Sequence, residues 1–423
     1  MYALLLATRS NLDPSQEGST SWSIDALRLL AALRATRVAA TSVRRRSAKL
    51  THVIERIGQR ALNRATLARQ LLMQRTDRTV AEAVEHLVGL QAQTPHSWYV
   101  GLWTRVADFH PEQAAEMLID RRLVRIALMR STIHLVTAPD TQALRSLVQP
   151  VLDRDLYANG THGRPIRGVD VTSLTAAGRA ILAERPMTAK AVGERLHAQW
   201  PDVPPATLAY ALRNLVPLVQ VPPRGLWGRS GPIAHTTAEA WLGPISTPEL
   251  TLPQLMLRYL AAFGPATVAD MQRWSGLTRL RDVVDQLRPQ LMTFRGEEGQ
   301  ELFDLPDAPR PEQDAPAPPR FLYDFDNLML SHADRSRVIT EDFYRHSHRP
   351  HGPVPAVLLV DGVPGGDWTI TRTSGAATLS IRTYARPSES LASDLAAEGR
   401  RLLAFTDPEA DESRVEFVRD LFH

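Results

Sequence analysis

Cysteine is absent from all 423 residues. That excludes disulfide frameworks, thiolate zinc or iron–sulfur centres and cysteine nucleophiles together, and it suits a reducing cytoplasm. Lysine is nearly absent as well, with Lys49 and Lys190 the two lysines among 49 basic residues. No run approaches the ~20 consecutive apolar residues of a membrane span. The apolar start, Met1 to Ala7, stops at Arg9 with no basic segment ahead of it, so neither an anchor nor a targeting segment is expected. A cytoplasmic location is the corresponding expectation.

What remains is ordinary for a globular chain: 43% hydrophobic and 22% charged residues. At ~150 residues per domain this length implies roughly three structural units, enough to fold without staples. The net charge of +3 says little, but residues 41–130 hold 15 basic against 8 acidic residues and 391–423 hold 4 against 8. Arginine donates bidentately to phosphates and stacks on bases, so the excess of arginine suits nucleic acid. A bias in genomic base composition produces the same ratio.

Patterning along the chain is repetitive. Residues 1–58 read as a poorly ordered N-terminal extension, with a basic cluster at Arg44-Arg45-Arg46 and Lys49. From Leu62 apolar residues recur at helical spacing through Leu72. Thr79 caps a helix to about Leu90, and a third helix follows Pro111 to Ile119. Two β-prone runs, 123–129 and 132–137, are separated by Arg130-Ser131. Helices followed by a hairpin recur twice. In the second pass Thr188 caps one helix, Pro204-Pro205 open another, and strands are expected at 218–221 and 225–228. In the third, helices at 252–263, 268–274 and 278–287 precede strands at 291–294 and 302–305. The expected class is α+β, with three tandem winged-helix units at 59–145, 170–245 and 250–306. A Pro-rich linker at 307–320 then leads to a β-rich C-terminal unit, 321–423, read as a meander or small β-barrel with a terminal helix near Ser388–Ala404 and an acidic end.

Gln91-Ala92-Gln93 lies just past a helix end. In extended backbone, amides at i and i+2 point to one side. Glutamine has no pKa in the useful range, so it is no ordinary general base. Its carbonyl oxygen can orient a water and its amide can bind a base edge; equally, a polar loop of this kind caps helix ends. Trp98, Tyr99 and Trp103 suit either base stacking or, by helical spacing, core packing. His346, His348 and His351 invite a metal reading, but no carboxylate stands within three residues of them and Arg345 and Arg349 repel cations; no metal is expected. His332 and Asp334 suit structural hydrogen bonding.

Several segments, in order, resemble the winged-helix DNA glycosylases of the AlkZ and YcaQ type: Leu62 to Leu72, Val88-Gly-Leu-Gln-Ala-Gln93, Gly101 to Arg105 and Met129-Arg-Ser-Thr-Ile-His134. The likeness continues through Gln220 to Arg229, Phe263 to Asp270 with Trp274-Ser-Gly276, and Phe325 to Arg335, spanning roughly residues 60–385. The resemblance implies three tandem winged helices with a small barrel, and excision of alkylated or crosslinked bases from double-stranded DNA. It also implies a catalytic Gln-x-Gln element on Gln91 and Gln93; the Asp of the YcaQ-like form is absent. No cofactor is implied. Arg130, Thr132 and His134, on the first hairpin, are the corresponding candidates for DNA contact.

The implied chemistry suits an amide site. A base alkylated at a ring nitrogen such as guanine N7 is cationic and leaves neutral, so it needs no general acid. What remains is to stabilise an oxocarbenium-like sugar and aim a water, which oriented carbonyl dipoles can do. No lysine lies near the motif, so a Schiff-base lyase step is not expected. The expectation is therefore a monofunctional, monomeric DNA glycosylase of base-excision repair. A non-catalytic winged-helix DNA-binding protein, and more distantly a hydrolase built on the C-terminal histidines, are the alternatives.

Overall fold

Side-chain caps set where most helices begin. The structure is a computed structural model that describes residues 55–244, 249–347 and 356–419; most of the expected N-terminal extension, together with His348 and His351, lies outside the described residues. The chain enters through β1 (Glu55–Arg56) and α1 (Gln59–Arg69). At α2 (Val80–His86), Thr79 accepts from the Glu82 N–H while the Glu82 carboxylate accepts from the Thr79 N–H, a reciprocal cap. This helix stops short of the expected Leu90, because Val88 and Gly89 take φ of 53° and 89° and turn the chain into β2 (Leu90–Gln91).

α3 (Ser97–Trp103) and α4 (Pro111–Ile119) precede the hairpin of β3 (Leu123–Ala127) and β4 (Ile133–Thr137). Hydrophobic patterning left the next stretch unassigned, and it is helical: α5 (Ala138–Leu147), α6 (Gln149–Ala158), α7 (Gly163–Ile166) and α8 (Val171–Glu184). The second pass then follows as β5 (Met187–Thr188), α9 (Ala189–His197), α10 (Pro205–Leu215), β6 (Leu218–Gln220) and β7 (Ala234–Thr237). The strand expected at 225–228 is instead a turn, with φ of 92° at Gly225 and 65° at Gly228; its place is taken by β7. The second pass closes with α11 (Ala238–Leu242), and the third has α12 (Leu252–Phe263), α13 (Val268–Ser275), α14 (Arg281–Leu287), β8 (Met292–Arg295) and β9 (Glu301–Asp304), with α14 beginning three residues later than Thr278.

The hairpins of the first two passes are not separate wings. β3 pairs antiparallel with β6, Arg125 opposite Gln220 and Ile126 opposite Val219, so six strands form one sheet in the order β2-β4-β3-β6-β7-β5. β1 adds in parallel to β8 of the third hairpin. Beyond it come β10 (Arg320–Phe321), α15 (Asn327–Leu330), α16 (Glu341–His346), β11 (Val357–Val360), β12 (Val363–Thr373), β13 (Ala376–Thr383), α17 (Glu389–Thr406) and β14 (Glu412–Phe417). These five strands run in simple order β10 to β14. No ladder joins the outer two among the described residues, so of the meander and the barrel expected here the strands follow the meander order, antiparallel from β10 to β13. The acidic end is the strand β14, parallel to β13.

The proline-rich stretch is held along its length. Arg69 donates to Pro309 O at 3.2 Å, Arg64 Nε to Ala315 O at 2.7 Å, and Arg310 Nη1 to Asp304 Oδ2 at 2.6 Å. The main core gathers β3, α3 and α12, with Trp98, Tyr99, Tyr259 and Phe263 fully buried. Arg64, Arg69, Arg105, Arg125 and Arg145 are buried beside it; Arg64, Arg69 and Arg105 meet carboxylates, whereas Arg125 bonds Ala92 O through Nη2 and leaves Nε and Nη1 unpaired.

Candidate active site

Gly89 fixes the approach of the Gln-x-Gln segment to the sheet. A Cβ there would lie 2.7 Å from Val136 Cγ1 and 2.9 Å from Leu135 O, so only glycine lets the chain turn this close to β4. β2 then pairs antiparallel with β4, Gln91 opposite His134, and Ala92 N donates to Ile133 O at 2.7 Å. Gln91 is buried and its Oε1 accepts from Arg130 Nη2 at 2.7 Å. Gln93 is exposed and its Oε1 accepts from the Ile133 N–H at 3.3 Å. Both side-chain oxygens thus turn toward the β3–β4 hairpin, as alternation along an extended segment requires.

A second element grips the segment from behind. Asn327, the first residue of α15, donates through Nδ2 to Gly89 O at 2.8 Å and accepts from the Gln91 N–H at 3.4 Å. Asp326 caps that helix by accepting from Leu328 N at 3.0 Å. Its carboxylate also receives both Nη groups of Arg105, at 2.8 and 2.7 Å, with both side chains wholly buried. A bidentate pair fixes orientation as well as distance. The order of support runs from Arg105 through Asp326 and Asn327 to the backbone of Gln91.

Arg130 sits at the hairpin tip in left-handed backbone, φ 55° and ψ 18°, and Ser131 follows at φ 58°. Two consecutive non-glycine residues in this region store backbone strain, on the order of 1 kcal/mol or more each. The guanidinium is bound on both arms, Nη2 to Gln91 and Nη1 to Trp274 O at 2.5 Å. Gly276 makes room for it: a Cβ there would meet Arg130 N at 3.3 Å. Burial, with the charge of Arg273 adding, pushes the Arg130 pKa down to about 10, which leaves it cationic at neutral pH.

Arg130 and Ser131 form one wall of an open groove of about 650 Å³, with Arg154, Asp155, Gln272 and Arg273 among its other residues. Arg154 is exposed and donates to Gly276 O at 3.0 Å. Arg273 is exposed and has no hydrogen-bond or ion-pair partner among the described residues. Neither arginine, nor Asn327, was singled out from the sequence. The signal was present for two of them, since Asn327 and Arg273 lie inside or beside the segments Phe325 to Arg335 and Trp274-Ser-Gly276.

Of the other candidates, His134 departs from its expected place, whereas Trp98, Tyr99, Trp103 and His332 take the core and structural places also expected of them. His134 is 1% exposed. Its Nδ1 donates to Thr132 O at 2.9 Å, and burial, with the charge of Arg130 adding, pushes its pKa down to about 3. It is a neutral interior residue against Gln91, not part of an exposed wing. Thr132 is half-buried and donates to Met129 O at 3.0 Å. Trp98, Tyr99 and Trp103 are core residues, the first two stacked at 3.8 Å. His332 is buried and bonds to Phe263 O at 3.0 Å. His346 bonds to Asp342 O at 2.8 Å and stacks on Tyr384. Among the described residues no cluster of three or more His, Asp or Glu side chains is placed to hold a metal, and no helix is long and apolar enough to cross a membrane.

The buried histidines carry a prediction. Burial lowers the pKa of His134 to about 3 and of His235 to about 4, and lowers that of His332 as well. Each stays neutral when folded but takes a proton below about 6.5 when unfolded. The unfolded state then binds more protons, so stability is full above that pH and falls as the pH drops toward 4. Each group contributes a slope of up to ~1.4 kcal/mol per pH unit. Urea unfolding of the wild type and His134→Gln between pH 7 and 4.5 checks this. The variant is expected to be shallower by about one group's slope, and equal slopes would contradict the assignment.

A family profile described as DNA glycosylase AlkZ-like matches residues 84–405, and the chain belongs to that family. It is similar to a protein of Streptomyces sahachiroi named Interstrand DNA cross-link repair glycosylase, 25% identical over 335 residues that cover 72% of this chain and 85% of the relative. The solved structure of the Streptomyces sahachiroi DNA glycosylase AlkZ superposes with a TM-score of 0.67 at 22% identity, covering 86% of this chain and 100% of that one. The two share a fold.

Proposed function

We propose that this chain is a monofunctional glycosylase that hydrolyses the N-glycosidic bond of N7-alkylated purines and unhooks interstrand crosslinks, in the cytoplasm and as a single chain on double-stranded DNA. The observation that supports it most is Gln91, held by Arg130 one hydrogen bond behind the arginine-lined groove in a chain of a glycosylase family. In this reading the duplex lies along the arginine-lined groove beside the tip of the β3–β4 hairpin.

The departing base needs no proton, so the work lies at the sugar. Gln91 and Gln93 orient carbonyl dipoles toward the oxocarbenium-like carbon and the attacking water. Arg130 takes a different role from the one its sequence position suggests: both arms are engaged by protein, so it orients Gln91. Phosphate contact falls instead to Arg154 and Arg273, with Thr132 at the hairpin tip. His134 packs behind Gln91 as a neutral support. Lys190, the one lysine among the described residues, pairs with Glu194 and does not belong to this groove, which favours hydrolysis without a lyase step.

The test is release of N7-methylguanine from a methylated duplex, followed by a nitrogen-mustard crosslinked duplex. Release of free base, leaving an intact abasic strand, is the expected result. Tight binding with no release from either substrate would favour a non-catalytic DNA-binding protein. For the groove, Arg154→Ala and Arg273→Ala are each expected to lower the slope of log affinity against log salt by about one, uniformly across sequences. Unchanged slopes would place the phosphates elsewhere.

A further inference from the structure

A cavity of about 580 Å³ opens between α9, α10 and the strands β6 and β7, and it shares no residue with the arginine-lined groove. Its walls are mainly apolar, with Val192, Pro205, Ala209 and Leu218 among them. The volume lies in the range of small-molecule sites, which combine apolar walls with a few placed polar groups.

His235 supplies such a group. It lines the cavity from β7, and burial lowers its pKa to about 4, so the ring is neutral. Histidine rings elsewhere in this protein find protein partners: His134 with Thr132, His162 with Thr207, His197 with Val203, His332 with Phe263. His235 has none among the described residues. A neutral imidazole carries one donor and one acceptor, and at the half-buried His235 neither is met by a described protein group, so both are free for a ligand in the cavity. Arg213 and Tyr210 close the cavity on the side toward the first hairpin. Their polar ends are taken, Arg213 Nη2 by Ser131 O at 2.7 Å and the Tyr210 hydroxyl by Asp155 at 2.7 Å, which leaves His235 as the unpaired polar group. The charged pair Lys190 and Glu194 stands at the cavity too and offsets itself.

We infer that this cavity is a binding site for a small, flat, mostly apolar molecule carrying a single hydroxyl, such as a phenol, with the hydroxyl paired to His235. A neutral ring faces a neutral hydroxyl without a charge to bury, and the apolar walls take the body of the ligand. The site does not depend on the glycosylase reading, because binding alone tests it.

The probe is 2-naphthol, titrated calorimetrically into the full-length protein, with 2-methoxynaphthalene as the control that lacks the donor. One saturable site is expected, with a Kd on the order of tens of micromolar for a ligand of this size, weakened about tenfold by loss of the hydrogen bond in the control or in His235→Phe. Ala206→Trp, at an exposed position on the cavity, is expected to abolish binding by filling the mouth, and its exposure protects the fold. Binding that survives Ala206→Trp unchanged, or no saturable heat in wild type, overturns the assignment. Equal affinity for the hydroxyl and methoxy probes overturns the role of His235.

Discussion

Gln91→Ala and Gln93→Ala are each expected to slow N7-methylguanine release by about 10²-fold, the usual effect of deleting one preorganised dipole at a developing charge. Duplex affinity should stay within about threefold, because phosphate contacts carry most of it. The reason is local. Gln91 is buried and bonded to Arg130, so it offers an oriented carbonyl and little binding surface. Gln93 stands exposed at the end of the same segment, its oxygen on the Ile133 N–H. The double variant should lose little more than either single one if both act on the same sugar and water. Arg130→Lys keeps the charge but not the two-armed hold, and it should lower kcat with KM nearly unchanged. Full release by Gln91→Ala would remove the motif from the mechanism. A parallel loss of affinity and release would make it a binding element.

Asp326→Ala is expected to destabilise the protein by about 3–5 kcal/mol, which is what breaking a fully buried ion pair by deleting one partner costs. Arg105 would keep its charge with no solvent to receive it, since its side chain is wholly buried. The same substitution removes the cap of α15 and loosens Asn327, so release should fall as well. Urea unfolding at pH 7 measures the first effect, and base release at a temperature where the variant is folded measures the second. Asn327→Ala separates them: it keeps the ion pair and the cap, so it should cost activity with a much smaller loss of stability. A loss below about 1 kcal/mol for Asp326→Ala would mean that water or another acid compensates Arg105, contrary to the packing described above.

Much of the secondary structure was legible because the signals are local. Thr79 and Thr188 cap the helices they were expected to cap, since a side-chain oxygen satisfying an orphan N–H needs only a few neighbouring residues. The helices over 149–158 and 171–184 bury Val151, Leu152 and Leu156, and Leu174, Ile181 and Leu182, at helical spacing, so a periodic signal for them is present in the sequence. The expected strand at 225–228 failed for a backbone reason, positive φ at two glycines.

Arginine shows the limit of composition most clearly. Its abundance suggested phosphate contacts, yet Arg64, Arg69, Arg105, Arg125 and Arg145 are interior struts. Arg154 and Arg273, of which only Arg273 stands beside a family-like segment, are the ones left facing the groove. A residue's type is visible in a sequence; whether its charge is already matched is a property of distant neighbours.

By itself, the sequence determined the mixed α and β character, the recurrence of helices and hairpins, the family, and the glutamines at 91 and 93. These follow from caps, periodicity and short motifs, which act over a few residues. Only the tertiary structure decided that two hairpins share one sheet through β3 and β6, that the C-terminal strands follow the meander order, and that His134 turns inward. It alone also brought Arg130 onto Gln91 and Asn327 onto Gly89, contacts spanning 39 and 238 residues. Such pairings depend on packing across the whole chain, where burial decides which polar groups must find each other.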